Sequence, residues 1–228
     1  MINDNKYRNL QGGDGLLAVF DVEGVLVDGE FMPELAKLVG KEREVHEITL
    51  AGIKGEIKWE DGLKRRIELL KGLRYEDCQR VANSLPLMRG AKELFRELRR
   101  LGYKTMGVSG GPSMLANRVK EELGLDHVIS NELKFNDGKL SGVEIRVTSN
   151  KANALKEYIE RLGWNGMRAV AVVDGANDLK LFEIAALKVA FNAQPIVKER
   201  ADVVVDEKDL SKLIAIFENF SRNSLNQG

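Results

Sequence analysis

Two acids, Asp21 and Glu23, follow the apolar run "LLAVF" at i, i+2 spacing, with Gly24 directly behind them. A hydroxyl and two glycines, Ser109-Gly110-Gly111, end a second run, "YKTMGV", and a third, "MRAVAVV", ends in Asp174-Gly175-Ala176-Asn177-Asp178. Lys151 stands near the head of the helical stretch "SNKANALKEYIERLG". Grouped carboxylates hold Mg²⁺, a hard cation that takes oxygen ligands and keeps several waters. Glycines ahead of a helix let backbone N–H groups approach phosphate oxygens. A lysine neutralises charge on a transferring group, and a carboxylate beside the metal can attack phosphorus. The set suits phosphoryl transfer. Each group alone also has an ordinary reading: strand-end acids are often solvated, Ser-Gly-Gly is a common strand-to-helix turn, and Asp174 or Asp178 can cap the next helix.

The residues meet only if the runs that carry them are neighbouring parallel strands, because open α/β sheets bind ligands at the carboxyl ends of their strands. The pattern supports this. Leu16–Val22 is a continuous apolar run of strand length, as in a strand buried on both faces. Gly90–Gly102 reads as a helix stopped by glycine, "YKTMGVSGG" as a strand, and "PSMLANRVKEELGL" as a helix with Pro112 near its start. Asp137-Gly138 lies between alternating runs and predicts a hairpin. Ser149 or Asn150 is the expected N-cap of the Lys151 helix. "MRAVAVVDGAND" is a third strand, "LKLFEIAALKV" a helix, and "VAFNA" and "ADVVVDE" short strands. Strands alternating with helices predict an α/β fold with a doubly wound parallel sheet.

One segment breaks the alternation. From Glu30 to about Leu85 the chain is rich in Glu, Lys, Arg and Leu at helical spacing, with three or four short helices and no convincing strand. That is too long for a βα crossover, so it reads as an inserted helical cap. The 35 basic and 35 acidic residues cancel, which removes any global field that would favour nucleic acid or an anionic membrane. The single cysteine, Cys78, allows no disulfide within the chain and points to a cytoplasmic compartment. No run reaches the ~18 apolar residues of a membrane span, and the polar start "MINDNKYRNLQGGDG" is not a secretory signal.

The four motifs, in this order and spacing, resemble the haloacid dehalogenase superfamily of phosphohydrolases over Leu16 to about Leu213. Within it the chain is similar to archaeal phosphoserine phosphatases, through "VSGGPSMLANRVKEELGLD", "VDGANDLKLFEIAALKVAFNAQPIVKERAD", "GKLSGVEI" and the helical insert. The resemblance implies a Rossmann-like core over residues 15–28 and 87–220, a cap over 29–86, and mobile termini at 1–14 and 221–228. It implies a Mg²⁺-dependent phosphatase of small phosphomonoesters, O-phospho-L-serine foremost, working through an aspartyl-phosphate as a monomer or homodimer. Asp21 would be the nucleophile and a metal ligand. Glu23 would offer its carbonyl to the metal and its side chain for acid/base work. Ser109 and Gly110 would bind phosphoryl oxygens, and Lys151 would pair with nucleophile and phosphate. Asp174 and Asp178 would hold the metal, with Asn177 beside it on the substrate side. Glu30 would meet a substrate amine and Arg66 a carboxylate.

Four residues depart from the family pattern: Glu23 stands for the usual Asp, Gly24 for Ser or Thr, Val25 for Thr, and Val173 for Gly. Glu keeps a similar reference pKa, ~4.3 against ~3.9, but moves the carboxyl by ~1.5 Å, and an error of that size can cost ~10²-fold. "DVEGVLV" is similar to the first motif of a bacterial phosphoserine:homoserine phosphotransferase, which also carries Glu here. Two alternatives stand beside hydrolysis: transfer to a small alcohol such as homoserine, and a phospho-ligand binding protein without turnover. His46, His127 and Cys78 lack partners at useful spacing and read as structural. Trp59 either packs the insert or lines the cleft, and packing is the favoured reading.

Overall fold

Of the strand-like runs in this chain, "LLAVF" is the most completely apolar, and it becomes the centre of the sheet. The computed structural model describes residues 15–225; the expected mobile ends at 1–14 and 226–228 lie outside them. Strand β1 (Leu16–Phe20) pairs in parallel with β2 (Lys104–Pro112) on one side and β5 (Arg168–Val173) on the other. With β3 (His127–Asn136), β4 (Lys139–Glu144), β6 (Leu187–Phe191) and β7 (Val203–Val205) the sheet runs β4-β3-β2-β1-β5-β6-β7. Only β4 is antiparallel, folded back on β3 through Asp137 and Gly138, both at positive φ as the hairpin signal requires. The order reverses at β1, so the ends of β1, β2 and β5 flank the crevice where such sheets bind ligands.

Helices α5 (Ala91–Arg100), α6 (Ser113–Leu123) and α9 (Ile214–Leu225) contribute to the apolar cluster on one face of the sheet, and α7 (Lys151–Leu162) to the cluster on the other. A four-residue helix, α8 (Pro195–Lys198), precedes β7. Residues 221–225, expected to be a loose end, continue α9, and Ser221 is buried.

The segment between β1 and α5 contains α1 (Phe31–Ala36), α2 (Glu42–Ile53), α3 (Trp59–Leu70) and α4 (Tyr75–Ser84), and no strand. On α3, the buried residues Trp59, Leu63, Arg66, Ile67 and Leu70 fall at helical spacing, so one stripe faces inward. The α3–α4 connection is bound to the β3–β4 hairpin by backbone hydrogen bonds: Gly72 N–H to Leu140 O, Leu140 N–H to Leu73 O, and Tyr75 N–H to Gly138 O, each 2.8 Å.

Two expectations need correction. "LKLFEIAALKV" is not an α-helix: a 3₁₀ helix spans Ala176–Ile184, and Leu187 and Lys188 already belong to β6. The 3₁₀ turn eclipses i and i+3, which buries Asp178 and Leu181 together. At the head of α7, Asn150 holds the N-cap position, but neither it nor Ser149 caps the helix. Ser149 instead donates its N–H and its hydroxyl to Glu60 of α3, both at 2.9 Å.

Candidate active site

Asp21 is the first residue beyond β1, and its N–H still bonds Val172 O of β5 at 3.1 Å, which fixes it at the strand end. Lys151 Nζ lies 2.6 Å from Asp21 Oδ1 and also pairs with Asp178. All three side chains are buried. Burial alone would lower the Lys151 pKa, but the carboxylates of Asp178 and Asp21 overcome it and hold the ammonium above its ordinary value. Asp178 is pushed up to about 7, first by burial and then by the Asp21 charge. Asp174 is raised well above the usual carboxylate range by burial and by Asp21 and Asp178.

Asp21, Asp174 and Asp178 each offer a carboxylate oxygen within 4.8 Å of the others. Asp178 Oδ2 and Asn177 Oδ1 are buried without a hydrogen-bond partner among the described residues. Crowded carboxylates, orphaned oxygens and an oxygen-only donor set fit a hard divalent cation. Asn177 Nδ2 donates to Asp178 Oδ1 at 3.1 Å.

Glu23 faces the other side. Its Oε1 accepts the Phe31 N–H at 2.6 Å, joining the strand end to the first residue of α1. Burial raises its pKa, the Phe31 bond opposes, and the Asp21 charge adds to the rise. Gly111 sits against this carboxylate so closely that a Cβ there would overlap Oε2, and a Cβ on Gly24, at φ +81°, would overlap the Asp174 carboxylate. The departure at Gly24 therefore has a steric reason in this chain. Val173, another departure, is a fully buried last residue of β5.

Glu30 directly precedes α1. Burial, then the charges of Glu23, Asp174 and Asp21, raise its pKa well above the ordinary value. Arg66 is 1% exposed; its Nε donates to Gly62 O at 3.2 Å and its Nη1 to Thr49 Oγ1 at 3.1 Å. Its Nη2 is buried with no partner among the described residues. Burial lowers its pKa, and Glu23 and Glu30 oppose that.

The structure thus brings Asp21, Glu23, Glu30, Ser109, Gly110, Lys151, Asp174 and Asn177 around one cavity, with Asp178 and Arg66 directly behind its walls. The free volume there is ≈ 10 Å³, room for about one water. Sequence reasoning missed three participants and favoured the lesser of two readings for a fourth. Trp59, assigned to packing, does pack, but it also lines the cavity and donates its indole N–H to Gly110 O at 2.6 Å. Ile53 lines the same wall. Asn131 Nδ2 donates to Gly110 O at 2.8 Å, and Thr49 holds Arg66. Only an unexpected polar residue inside an apolar pattern, at Asn131 and Thr49, could have signalled them. His127 packs edge-on between Tyr158 and Trp164, His46 is exposed, and the buried Cys78 thiol is pushed up to about 11 by burial.

A haloacid dehalogenase-like hydrolase family model matches residues 17–185. A phosphoserine phosphatase of Methanocaldococcus jannaschii is 40% identical over 203 residues, which cover 87% of this chain and 95% of the relative. One from Archaeoglobus fulgidus is 41% identical over 88% of this chain, and the chain spans 59% of that relative's length. A solved phospho-aspartyl intermediate analogue of a phosphoserine phosphatase superposes with a TM-score of 0.82 at 38% identity, covering 89% of this chain and 99% of the other.

Proposed function

Because the chain belongs to the haloacid dehalogenase-like hydrolase family, we propose that it is a phosphoric monoester hydrolase whose substrate is O-phospho-L-serine, acting through an aspartyl-phosphate on Asp21. The observation that carries the reading is the pairing of two unfinished sites across one cavity. A buried carboxylate group short of positive charge lies on the sheet side, and a buried arginine with a free Nη2 lies on the helical side. The first suits a phosphoryl group with its cation, the second a substrate carboxylate, and Glu30 between them an amine.

Asp21, Asp174, Asp178 and the Glu23 carbonyl would hold Mg²⁺, which when bound supplies positive charge for the phosphoryl oxygens. Lys151 pairs with Asp21 Oδ1 at 2.6 Å and keeps its carboxylate aimed. The Asp21 carboxylate forms a bond to phosphorus as the bond from phosphorus to the ester oxygen breaks. Glu23, whose raised pKa suits proton donation, delivers a proton to the leaving serine oxygen. It then takes one from the water that attacks phosphorus, and phosphate and the free Asp21 carboxylate result. Ser109 and the Gly110 backbone bind the phosphoryl oxygens throughout. Closure of the helical segment excludes bulk water from the intermediate. The balanced composition and reducing-type cysteine usage support a cytoplasmic monomer or homodimer that engages neither nucleic acid nor membrane. No helix among the described residues is long and apolar enough to cross a membrane.

The test is product analysis on O-phospho-L-serine with Mg²⁺, with and without homoserine. Free phosphate in equal yield under both conditions is the expected result. Phosphohomoserine at the expense of phosphate would make the enzyme a phosphotransferase, and no product in either case would leave a phospho-ligand binding protein.

A further inference from the structure

Among the described residues, Trp59 is the one aromatic side chain that lines the cavity, and its surroundings are cut to its shape. A Cβ on Gly110 would overlap the indole, and a Cβ on Gly52 would lie 3.0 Å from its Cε3. The Arg66 guanidinium carbon stands 4.4 Å from the ring centroid. The indole N–H points at a single acceptor, Gly110 O, at 2.6 Å. Asn131 Nδ2 reaches the same oxygen at 2.8 Å, so two donors hold one carbonyl. The peptide from Gly110 to Gly111 is planar and trans, which sends its N–H opposite to its C=O. That N–H, on Gly111, donates to Ser109 Oγ at 3.0 Å. A hydroxyl has one proton and two lone pairs. With a lone pair engaged by Gly111, the Ser109 proton is free to donate elsewhere.

We propose that Trp59 is a positioning residue for the phosphoryl site: by holding the Gly110 carbonyl, its indole N–H orients the Gly110–Gly111 peptide, which in turn presents the Ser109 hydroxyl proton to a phosphoryl oxygen. Hydrogen bonds in series polarise one another, so the indole also strengthens the Gly111-to-Ser109 bond. A cavity of ≈ 10 Å³ admits no phosphate ester, so its wall must open before a substrate enters. Trp59 is part of that wall, so on this proposal Ser109 is fully aligned only when the wall has closed over the site, which ties phosphoryl recognition to closure. The inference rests on the reading above in one respect, that Ser109 binds the phosphoryl group.

Calorimetric binding of inorganic phosphate with Mg²⁺ tests it in four proteins: wild type, Trp59→Phe, Ser109→Ala and the double variant. Phe keeps an aromatic ring and loses the donor together with part of the indole's volume, and the comparison across the two Ser109 backgrounds separates the part that acts through Ser109. The expected result is binding about fivefold to tenfold weaker for Trp59→Phe, the worth of one hydrogen bond, and less than about twofold weaker when Ser109 is already Ala. Equal losses in both backgrounds, or no loss in either, overturn the proposal. The chain has two tryptophans, so in Trp164→Phe the indole emission belongs to Trp59 alone. That emission should change on phosphate binding and change much less with Ser109→Ala; an equal change in both would also overturn it. Non-additive phosphate binding without hydrolysis of phosphoserine defeats the hydrolase reading and leaves this one standing. Hydrolysis with additive losses, or with no phosphate binding by the wild type, defeats this one alone.

Discussion

Lys151 and Arg66 are both buried cations, one on each side of the cavity, and they are left in opposite states. Lys151 has two carboxylates to itself and its charge is fully answered within the chain. Arg66 spends two of its nitrogens on neutral oxygens and keeps Nη2 unpaired. A buried guanidinium with an open donor is costly unless a partner arrives. The sheet side thus carries its own reactive assembly, short only of a cation. The helical side is finished by what it binds. On the proposed function, chemistry and choice of substrate are divided between the two, and variants on each side should fail differently.

The largest effect belongs to the sheet side. Asp21→Asn should lower phosphate release at least ~10³-fold from phosphoserine and from p-nitrophenyl phosphate alike, with an unchanged circular dichroism spectrum. Activity above a few per cent would remove the covalent step. Next comes Lys151→Met. Breaking a buried pair leaves an uncompensated charge worth about 3–5 kcal/mol of stability, and thermal unfolding should show it. Mg²⁺ should restore part of the loss, because a cation can answer Asp21 and Asp178 in place of the ammonium; a loss that Mg²⁺ does not touch would separate Lys151 from the metal site.

On the helical side, Arg66→Ala should reduce kcat/KM for phosphoserine about 10²-fold, since a buried charge-assisted pair contributes a few kcal/mol. p-Nitrophenyl phosphate, which has no carboxylate, should lose less than about threefold. Equal losses would make Arg66 structural and erase the contrast. Smaller still is Thr49→Val, which removes the one hydrogen bond that Thr49 Oγ1 accepts from the Arg66 guanidinium. A rise in KM for phosphoserine of about threefold to tenfold is expected, with kcat kept.

These sides were not equally legible in the sequence. Asp21, Ser109 and Asp174 could be read because a parallel sheet brings strand ends together, and the ends were marked by polar residues after apolar runs. Lys151 and Arg66 had no local mark and rested on the family resemblance. Trp59 meets Gly110 across 51 residues, which no periodicity encodes. A tryptophan at a helix start gives the same apolar signal whether its N–H is used or not. The 3₁₀ stretch Ala176–Ile184 was misread for a related reason: it carries Asp178, which is buried and paired with Lys151, a tertiary contact that local propensity does not register.

A probe of the helical side that leaves its binding residues untouched is Cys78, on the inner face of α4. With its pKa at about 11 and the thiol buried, alkylation by iodoacetamide at pH 8 should run at least ~10²-fold slower than that of a free thiol, whose pKa is ≈ 8.5. Mass spectrometry of native and urea-unfolded protein measures it. Fast labelling of the native chain would mean that the helical side opens its interior and not merely its edge.

That interior has a consequence for how the molecule melts. Phe31, Leu35, Val45, Leu63, Ile67 and Leu70 of the helical segment and Phe20, Phe95, Leu210 and Phe217 of the sheet side belong to one continuous cluster of buried side chains. Two bodies with separate hearts can be cut apart, exchanged between proteins and unfolded in turn; two that share one cannot. Calorimetry should record a single heat-absorption peak with matching calorimetric and van't Hoff enthalpies. Residues 29–86 expressed alone should be without fixed structure, so a new substrate range would have to be introduced one residue at a time and not by transplanting the segment whole.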